Sequence, residues 1–245
     1  GLQNYHALLF KDPYFWQSLW NTLYYVVFRT PLSIFGSLLL ANLLNQQLKG
    51  MPLFRTIFFI PSIISGVVLS VIWLWMFNPE YGLINGALAF FGIPGPLWLQ
   101  SATWSKPAMV LMSLWTVGGG RMLVFLAALQ GIPKHLYEVV DLEGGGWWTK
   151  FRHVTLPLIS PILFLWTVME VIFSMQVFVE AYIMTNGGPA NSTLFYNLHL
   201  YNKSFNDFQM GYASAMAWLL LVITLGITWF QFRLSKRMVY YEGGQ

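Results

Sequence analysis

Five long apolar stretches constrain this chain more than any other feature of its sequence. They lie at about Gln17–Leu44, Thr56–Phe77, Pro107–Gln130, Ser160–Thr185 and Gly211–Phe232. A helix that crosses a bilayer needs roughly 20 mostly apolar residues. Charged residues make up only 9% of the 245 residues, whereas a soluble domain usually has about 25%. The sequence therefore predicts an all-α, polytopic integral membrane bundle with five spans, in one transmembrane domain that covers residues 1–245.

The composition also argues against several classes of function. The chain has no cysteine, which excludes disulfides, thiol catalysis and cysteine-ligated zinc. Its net charge of +4 is small and scattered, so nucleic acid is not an expected partner. The Gly-x-x-x-x-Gly-Lys-Ser/Thr sequence of a phosphate-binding loop is absent, as is the Gly-x-Ser-x-Gly sequence of a hydrolase. We therefore expect no catalytic residues, no cofactor and no metal, and a chain that is not an enzyme.

Lysine and arginine are distributed unevenly between the connecting segments. Segments 45–55, 131–159 and 233–245 hold eight of them: Lys49, Arg55, Lys134, Lys150, Arg152, Arg233, Lys236 and Arg237. The opposite segments hold three: Lys11, Lys106 and Lys203. Because cytoplasmic loops carry the excess of positive residues, the C-terminus and segment 131–159 are expected in the cytoplasm of a cell (inner or plasma) membrane. Five spans then place the N-terminus outside, so we expect a further span before residue 1.

Segment 131–159 differs in kind from the other loops because it begins with the pattern of an amphipathic helix. Pro133 suits the start of a helix, and Leu136, Val139 and Val140 share one helical face at the spacing i, i+3, i+4. Three glycines at 144–146 must end this helix, since each costs about 1 kcal/mol in a helix interior.

A second short helix is expected after the glycines. Trp147, Phe151 and Val154 fall at i, i+4 and i+7, and Leu156-Pro157 is expected to end this helix before the next span. Two short amphipathic helices joined by a glycine turn suit a groove on a soluble partner. They suit equally well a helical hairpin that lies on lipid headgroups.

This loop resembles the EAA loop of permeases from binding-protein-dependent ABC importers. Glu138-Val-Val, three residues, Gly144, nine residues, Val154, one residue, Leu156-Pro157 follows the pattern of that family. Further stretches are similar to its MalF-like sugar-permease branch: Phe54-Arg55-Thr56, Phe59-Ile60-Pro61, Phe77-Asn78-Pro79, Thr185-Asn186-Gly187-Gly188-Pro189 and Gly211-Tyr212-Ala213-Ser214-Ala215. The resemblance extends along nearly the whole chain.

The resemblance implies a membrane-spanning transport subunit with several partners. These are a cytoplasmic ABC ATPase subunit, a second permease subunit, an extracytoplasmic solute-binding protein and the lipid bilayer. The implied function is translocation of a solute, a sugar or related polyol, by alternating access, with ATP hydrolysed on a separate subunit. The residues implied to couple to the ATPase are Glu138, Val139, Val140, Asp141, Gly144, Leu156 and Pro157.

The loop departs from the family pattern at several positions. Val139 and Val140 stand where alanine is usual, and Gly145 also replaces an alanine. Glu143 replaces the commoner aspartate. A larger β-branched residue in a tight cleft can cost roughly 1–3 kcal/mol. Either the partner groove matches valine or the coupling is weak.

Four charged residues fall within the apolar stretches: Arg29, Arg121, Glu170 and Glu180. Each costs roughly 2.5–3.5 kcal/mol at the bilayer centre on insertion scales. One interpretation is a polar pathway for solute hydroxyls, and the other is ion pairing between spans, for example of Arg121 with Glu170 or Glu180. Glu180 also lies near the outer end of its span, where it can be hydrated, and Arg29 can pair within the bundle.

The resemblance implies solute contacts in two places, before the EAA-like loop and before the Asn-Gly-Gly-Pro sequence. The corresponding residues are Ser113, Trp115, Thr116, Gly120, Arg121, Phe173, Ser174, Gln176, Val177 and Glu180. Gly120 stands where that branch often has a bulky or amide side chain. An alternative function is an ion-coupled secondary transporter that uses Glu170 or Glu180 as proton carriers. A membrane enzyme is disfavoured because no paired catalytic groups are suitably spaced.

Overall fold

The computed structural model describes residues 2–46 and 48–239, without the side chains of residues 236–238. Thirteen α-helices make up the described part of the chain. They are α1 (Gln3–Phe10), α2 (Pro13–Leu44), α3 (Met51–Phe59), α4 (Gly66–Met76), α5 (Leu83–Phe90), α6 (Ser105–Ser113), α7 (Gly120–Gln130), α8 (Lys134–Leu142), α9 (Trp147–Lys150), α10 (Leu156–Met175), α11 (Val179–Met184), α12 (Tyr196–Tyr201) and α13 (Met210–Met238). No strand occurs among these residues, which confirms the all-α prediction.

Short non-α turns join several of these helices. Two are 3₁₀-helices, Ile60–Ile63 and Leu114–Thr116, and two are π-helical turns, Phe151–Thr155 and Asn202–Asn206. Three helical segments of the described chain are long and apolar enough to cross a membrane: Pro13–Leu44, Trp147–Met184 and Met210–Ser235. The number rises to five if each of two interrupted pairs, Met51–Ile63 with Gly66–Met76 and Ser105–Thr116 with Gly120–Gln130, is one span.

Three of the five predicted spans are interrupted, which their apolar sequences did not predict. The second breaks after Ile63, the third at Val117–Gly119 and the fourth at Gln176–Phe178. The side chain of Ser65 caps α4 by accepting a hydrogen bond from the N–H of Val68 at 3.4 Å. Such caps replace the intrahelical partners that a broken helix loses.

The chain divides into two compact units, and each combines three separate stretches. The first unit holds Gly1–Thr30, Ile64–Leu114 and Val171–Gly226, and the second holds Pro31–Ile63, Trp115–Glu170 and Ile227–Gln245. The core of the first unit contains Tyr25, Trp73, Phe77 and Phe195, and that of the second contains Leu38, Phe125, Leu129 and Ile159. Helices α2, α10 and α13 contribute residues to both units.

The segment between α11 and α12 is held in place within the first unit by polar side chains. Asn21 donates to the carbonyls of Asn191 and Leu194 at 2.9 and 3.1 Å. The hydroxyls of Ser105 and Ser192 lie 2.8 Å apart. The bonds from Asn21 satisfy backbone carbonyls of an irregular segment, as buried polar groups require.

Candidate functional site

The loop at 131–159 folds as the helix–turn–helix that its sequence predicts. Helix α8 ends in a Schellman motif, in which the N–H of Gly145 donates to the carbonyl of Val140 at 2.8 Å and that of Gly144 to Asp141 at 3.0 Å. Gly144 has a φ of +74°, a conformation that glycine adopts without steric cost. The prediction that the glycines end the helix is therefore confirmed.

The second half of this loop differs from the prediction at Leu156-Pro157. Helix α9, the π-helical turn Phe151–Thr155 and α10 follow one another without a break, so Pro157 lies inside a helix instead of ending one. A proline ring clashes with the carbonyl four residues earlier, and here the wider π-helical turn precedes the proline directly. The short helix and the span are consequently one continuous helical segment.

The helix–turn–helix has one face against the core of the second unit and one exposed face. Ile132 and Val154 are buried, and Leu136, Tyr137, Val140 and Phe151 pack against the same core. The exposed face carries Glu138 with four large apolar side chains, Val139, Leu142, Trp147 and Trp148. Leu142 is 89% exposed. Apolar side chains presented in this way suit contact with a protein partner or with lipid headgroups.

Contacts within the loop fix its two helices relative to each other. The ammonium of Lys150 lies 2.6–2.7 Å from the carboxylate oxygens of Asp141. The hydroxyls of Tyr137 and Thr155 lie 3.0 Å apart. A β-carbon at Gly145 would collide with Cγ1 of Val140. Two departures from the family pattern therefore explain each other, since Val140 fills the space that an alanine at 145 would occupy.

The predicted pathway residues of the second unit surround the break between α6 and α7. Trp115 and Thr116 lie in the 3₁₀-helix that precedes the break, and Gly120 begins α7. Trp115 and Gly120 are exposed, and Thr116 is half-buried. A β-carbon at Gly118 would collide with the carbonyl of Phe58, and one at Gly119 would lie 2.7 Å from Cβ of Ser62. Glycine at these positions allows the interrupted backbone to pack closely.

Arg121 is buried and forms an ion pair with Glu170. For these two residues the structure therefore favours ion pairing over a role in a polar pathway. Their side chains are 9% and 4% exposed. Nε of Arg121 also donates to the hydroxyl of Ser37 at 2.9 Å, and that hydroxyl donates to the carbonyl of Val117 at 2.7 Å. Sequence reasoning missed Ser37. The only local signal is that Thr30, Ser33 and Ser37 recur at helical spacing in an apolar span.

The predicted pathway residues of the first unit gather at the break between α10 and α11. Gln176 lies in the break and is exposed, and Phe173 is half exposed. Ser174 is buried and accepts a hydrogen bond from Nη1 of Arg29 at 3.3 Å. Irregular backbone at membrane depth is tolerated only where it is buried in protein or lines a cavity, and interrupted helices commonly form solute sites in transporters.

Not all of the predicted pathway residues are placed to contact a solute. Val177 is part of the apolar core of the first unit. Ser113 is buried, and its hydroxyl donates to the carbonyl of Val110 at 2.6 Å. Glu180 lies half-buried in the first turn of α11. Within residues 2–46 and 48–239, no group of three histidine, aspartate or glutamate side chains could hold a metal ion.

A second charged cluster, unpredicted from the sequence, lies in the first unit. Asp12 accepts hydrogen bonds from Nε2 of His199 at 2.8 Å and from the hydroxyl of Tyr212 at 2.6 Å. Burial raises the pKa of Asp12, but the bonds from Tyr212, His199 and the Tyr14 N–H outweigh it, together with the charge of His199. The pKa of Asp12 is therefore lower than its ordinary value of 3.8.

Comparison with known proteins identifies relatives of which this chain covers about four fifths of the length. The chain is 41% identical to "Probable ABC transporter permease protein YesP" of Bacillus subtilis (strain 168), over 99% of this chain and 79% of the relative. It is 35% identical to "Lactose transport system permease protein LacF" of Rhizobium radiobacter, over 93% and 78%. It is 32% identical to "sn-glycerol-3-phosphate transport system permease protein UgpA" of Yersinia pestis, over 99% and 82%.

The fold is similar to that of a solved transporter. A chain from the crystal structure of a bacterial alginate ABC transporter, in complex with an alginate pentasaccharide-bound periplasmic protein, superposes with a TM-score of 0.87 at 23% identity. The match covers 97% of this chain and 83% of that one. Residues 33–240 also match the family described as "Binding-protein-dependent transport system inner membrane component". The chain belongs to this family of ABC importer permeases, in its sugar-permease branch.

Proposed function

We propose that the chain moves a polyhydroxylated solute, a sugar or related polyol, across the membrane by alternating access. The main support for this proposal is membership of the importer-permease family, whose members are inner membrane components of binding-protein-dependent transport systems. The relatives named for a solute transport lactose, sulfoquinovosyl glycerol or sn-glycerol-3-phosphate. These solutes share several hydroxyl groups. Both units take residues from α2, α10 and α13, which supports the proposal that residues 1–245 act as one transmembrane domain.

The exposed face of the 131–159 loop is the surface that we propose docks on a separate ATPase subunit. Glu138, Val139 and Gly144 lie on it, in a helix–turn–helix that its own contacts already hold together. A preformed apolar surface loses little entropy when it binds. Asp141 supports the geometry of the loop through Lys150, and Val140 supports it from the core side. Leu156 and Pro157 lie where the loop continues into α10.

The proposed orientation places this loop and the C-terminus in the cytoplasm. It rests on the eight lysine and arginine residues on that side against three on the other. Two of the eight, Lys236 and Arg237, have side chains outside those that the structure describes. The opposite side would then meet the extracytoplasmic binding protein, and a second permease subunit would complete the pathway.

Two interrupted helices support the proposed solute pathway. Trp115, Thr116 and Gly120 flank one break, and Phe173 and Gln176 flank the other. Exposed aromatic faces and an amide suit the apolar and hydroxyl surfaces of a sugar. The alternative, proton-coupled transport by Glu170 or Glu180, is less well supported, because Glu170 forms a buried ion pair with Arg121.

The docking proposal is tested by comparing Gly144→Asp with Gly92→Asp. Both glycines have nearly the same left-handed φ, +74° and +73°, and a β-carbon would meet nothing within 4 Å at either position. The backbone strain is thus matched, but only Gly144 lies in the proposed docking surface. The transporter is purified through a tag on this chain and reconstituted in vesicles. ATP hydrolysis and uptake of a panel of labelled disaccharides and sn-glycerol-3-phosphate are then measured.

We expect Gly144→Asp to reduce uptake at least tenfold while Gly92→Asp retains it. Copurification of an ATPase subunit should fall with Gly144→Asp alone. Equal uptake by the two variants would contradict docking through this loop. ATP-independent uptake by the chain would contradict the importer proposal itself.

A further inference from the structure

Ser37 occupies a position that connects a buried ion pair to an interrupted helix. It lies in the part of α2 that belongs to the second unit, and its side chain is fully buried. A hydroxyl has one proton to donate and can accept a bond as well. Ser37 donates to the carbonyl of Val117 at 2.7 Å and accepts from Nε of Arg121 at 2.9 Å. Both capacities of this hydroxyl are therefore used.

The carbonyl that Ser37 binds is one that the broken helix cannot satisfy by itself. Val117 lies between the 3₁₀-helix Leu114–Thr116 and the start of α7 at Gly120. Carbonyls at a helix break need a partner outside the helix, since an unsatisfied buried group destabilises the fold. Ser37 thus supplies a hydrogen bond without which this backbone conformation is costly.

Small residues bring the same break into close contact with its neighbours. A β-carbon at Gly36 would lie 3.3 Å from Cγ1 of Val117, and Gly118 and Gly119 leave no room for one against Phe58 and Ser62. The break is thereby enclosed by α2, α3 and the 3₁₀-helix that follows α3. The flanking residues Trp115 and Gly120 are nevertheless exposed. A change in the conformation of the break would therefore alter the placement and exposure of Trp115 and Gly120.

We propose that Ser37 is a positioning residue for transport, whose hydroxyl fixes the Val117–Gly119 break and so sets the placement of Trp115 and Gly120. The proposal rests on the proposed solute pathway. The part of it that concerns how the Ser37 hydroxyl holds the break does not depend on any solute. Arg121 and Glu170 take part through the Nε bond to Ser37 and the buried pair. Ser37 would act through the backbone of Val117 and not by touching solute.

The chain offers a matched control one turn away on the same helix. Ser33 is also fully buried in the second unit, but among the described residues its hydroxyl has no hydrogen-bond partner. Ser33→Ala removes the same group as Ser37→Ala without removing a bond to the break. Ser37→Thr keeps the hydroxyl, and Arg121→Lys keeps a cation but loses the Nε donor.

The test uses cysteine labelling, which is specific because these 245 residues contain no cysteine. A single cysteine replaces Gly120, where a β-carbon would meet nothing within 4 Å, and Gly86→Cys in α5 serves as the reference site with the same freedom. The full chain in membranes without ATP reacts with N-ethylmaleimide, and the labelling rates at the two sites are compared. The unfolding temperature of each variant is measured alongside.

We expect Ser37→Ala to raise the labelling rate at position 120 about tenfold, since two hydrogen bonds that hold the break are lost. The rate at position 86 should stay within twofold. Ser33→Ala should label as the parent does, and Ser37→Thr should restore the parent rate. If Ser37→Ala does not accumulate as folded protein, Arg121→Lys decides the matter, with an expected rise of about threefold.

Two results would overturn the proposal. One is an unchanged labelling rate at position 120 in Ser37→Ala. If Ser37→Ala does not fold, the corresponding result is an unchanged labelling rate in Arg121→Lys. The other is an equal rise at positions 120 and 86, which would show that Ser37 only stabilises the fold. Both results concern the placement of Trp115 and Gly120 and can be obtained whether or not the chain takes up a sugar, which the uptake assay measures separately, so the two proposals fail independently.

Discussion

Cγ1 of Val140 lies where the β-carbon of any larger residue at Gly145 would have to be. Gly145→Ala should therefore overpack the turn and destabilise the loop by about 1–3 kcal/mol. Val140→Ala in the same chain should recover part of this loss, because it removes the clash with Cγ1 and leaves the close approach to the Val140 carbonyl and to Cγ2 of Thr149. Unfolding temperatures of both single variants and the double variant test this coupling. Additive losses would show that the two positions do not interact.

The buried pair of Arg121 and Glu170 predicts a large cost when one partner is removed. Glu170→Gln leaves the guanidinium buried without its countercharge, which should destabilise the protein by about 3–5 kcal/mol. The double variant Arg121→Met, Glu170→Leu should be less destabilised than Glu170→Gln alone, because the two opposite charges are removed together. Thermal unfolding in detergent measures both. A double variant that is less stable than the single one would contradict the explanation.

The lowered pKa of Asp12 predicts that its contribution to stability depends on pH. A carboxyl whose pKa is lower in the folded state stabilises the protein above the unfolded-state pKa, and this stability is lost as pH falls through the folded-state pKa. Asp12→Asn should lower the free energy of unfolding at pH 7 by about 1.5–3 kcal/mol, the range for hydrogen bonds to charged groups.

The difference between the wild type and Asp12→Asn should be present at pH 7 and should narrow as pH falls below the ordinary pKa of 3.8. Unfolding temperatures recorded from pH 7 to pH 3 test this. Asp207→Asn is a control, since Asp207 pairs with Lys203 at 2.8 Å on the surface and should contribute about 1 kcal/mol or less. A constant difference across the range would contradict the assignment.

The interrupted helices predict where substitutions change solute selectivity. Trp115→Ala and Gln176→Ala should alter the competition profile of uptake among labelled sugars by at least threefold. Copurification of the ATPase subunit should not change, because both residues lie outside the 131–159 loop. Trp104→Ala and Gln209→Ala remove exposed residues of the same types away from the breaks. They should leave the profile unaltered, and an equal effect of all four variants would argue against the pathway.

The sequence predicted the fold class because the length and apolarity of a span are local properties. It did not predict that three spans are interrupted, since a break depends on partners from other helices. The break at Val117–Gly119 had a glycine signal, but the hydroxyl of Ser37 that stabilises it comes from 80 residues away. The break at Gln176–Phe178 contains neither glycine nor proline, so no local signal marks it.

The candidate site was predicted best where periodicity and turn chemistry agree. Helix α8 and its glycine turn followed from seven positions in one short stretch. Pro157 was misinterpreted because its cost in a helix was judged without the π-helical turn that precedes it. Sequence left the pairing of Arg121 open between two glutamates, and only the folded chain selects Glu170. The bond between Asp12 and His199 joins residues 187 positions apart, which no local pattern predicts.

The unbroken helix from Trp147 through the π-helical turn to Glu170 spans roughly 35 Å. Along it, only Pro157 and Pro161 lack the backbone donor that stiffens the rest. To the extent that this helix moves as one element, a rotation or axial shift of Trp147 and Trp148 would also move Glu170. A movement of this kind at the exposed tryptophans would displace the carboxylate of Glu170 relative to the guanidinium of Arg121.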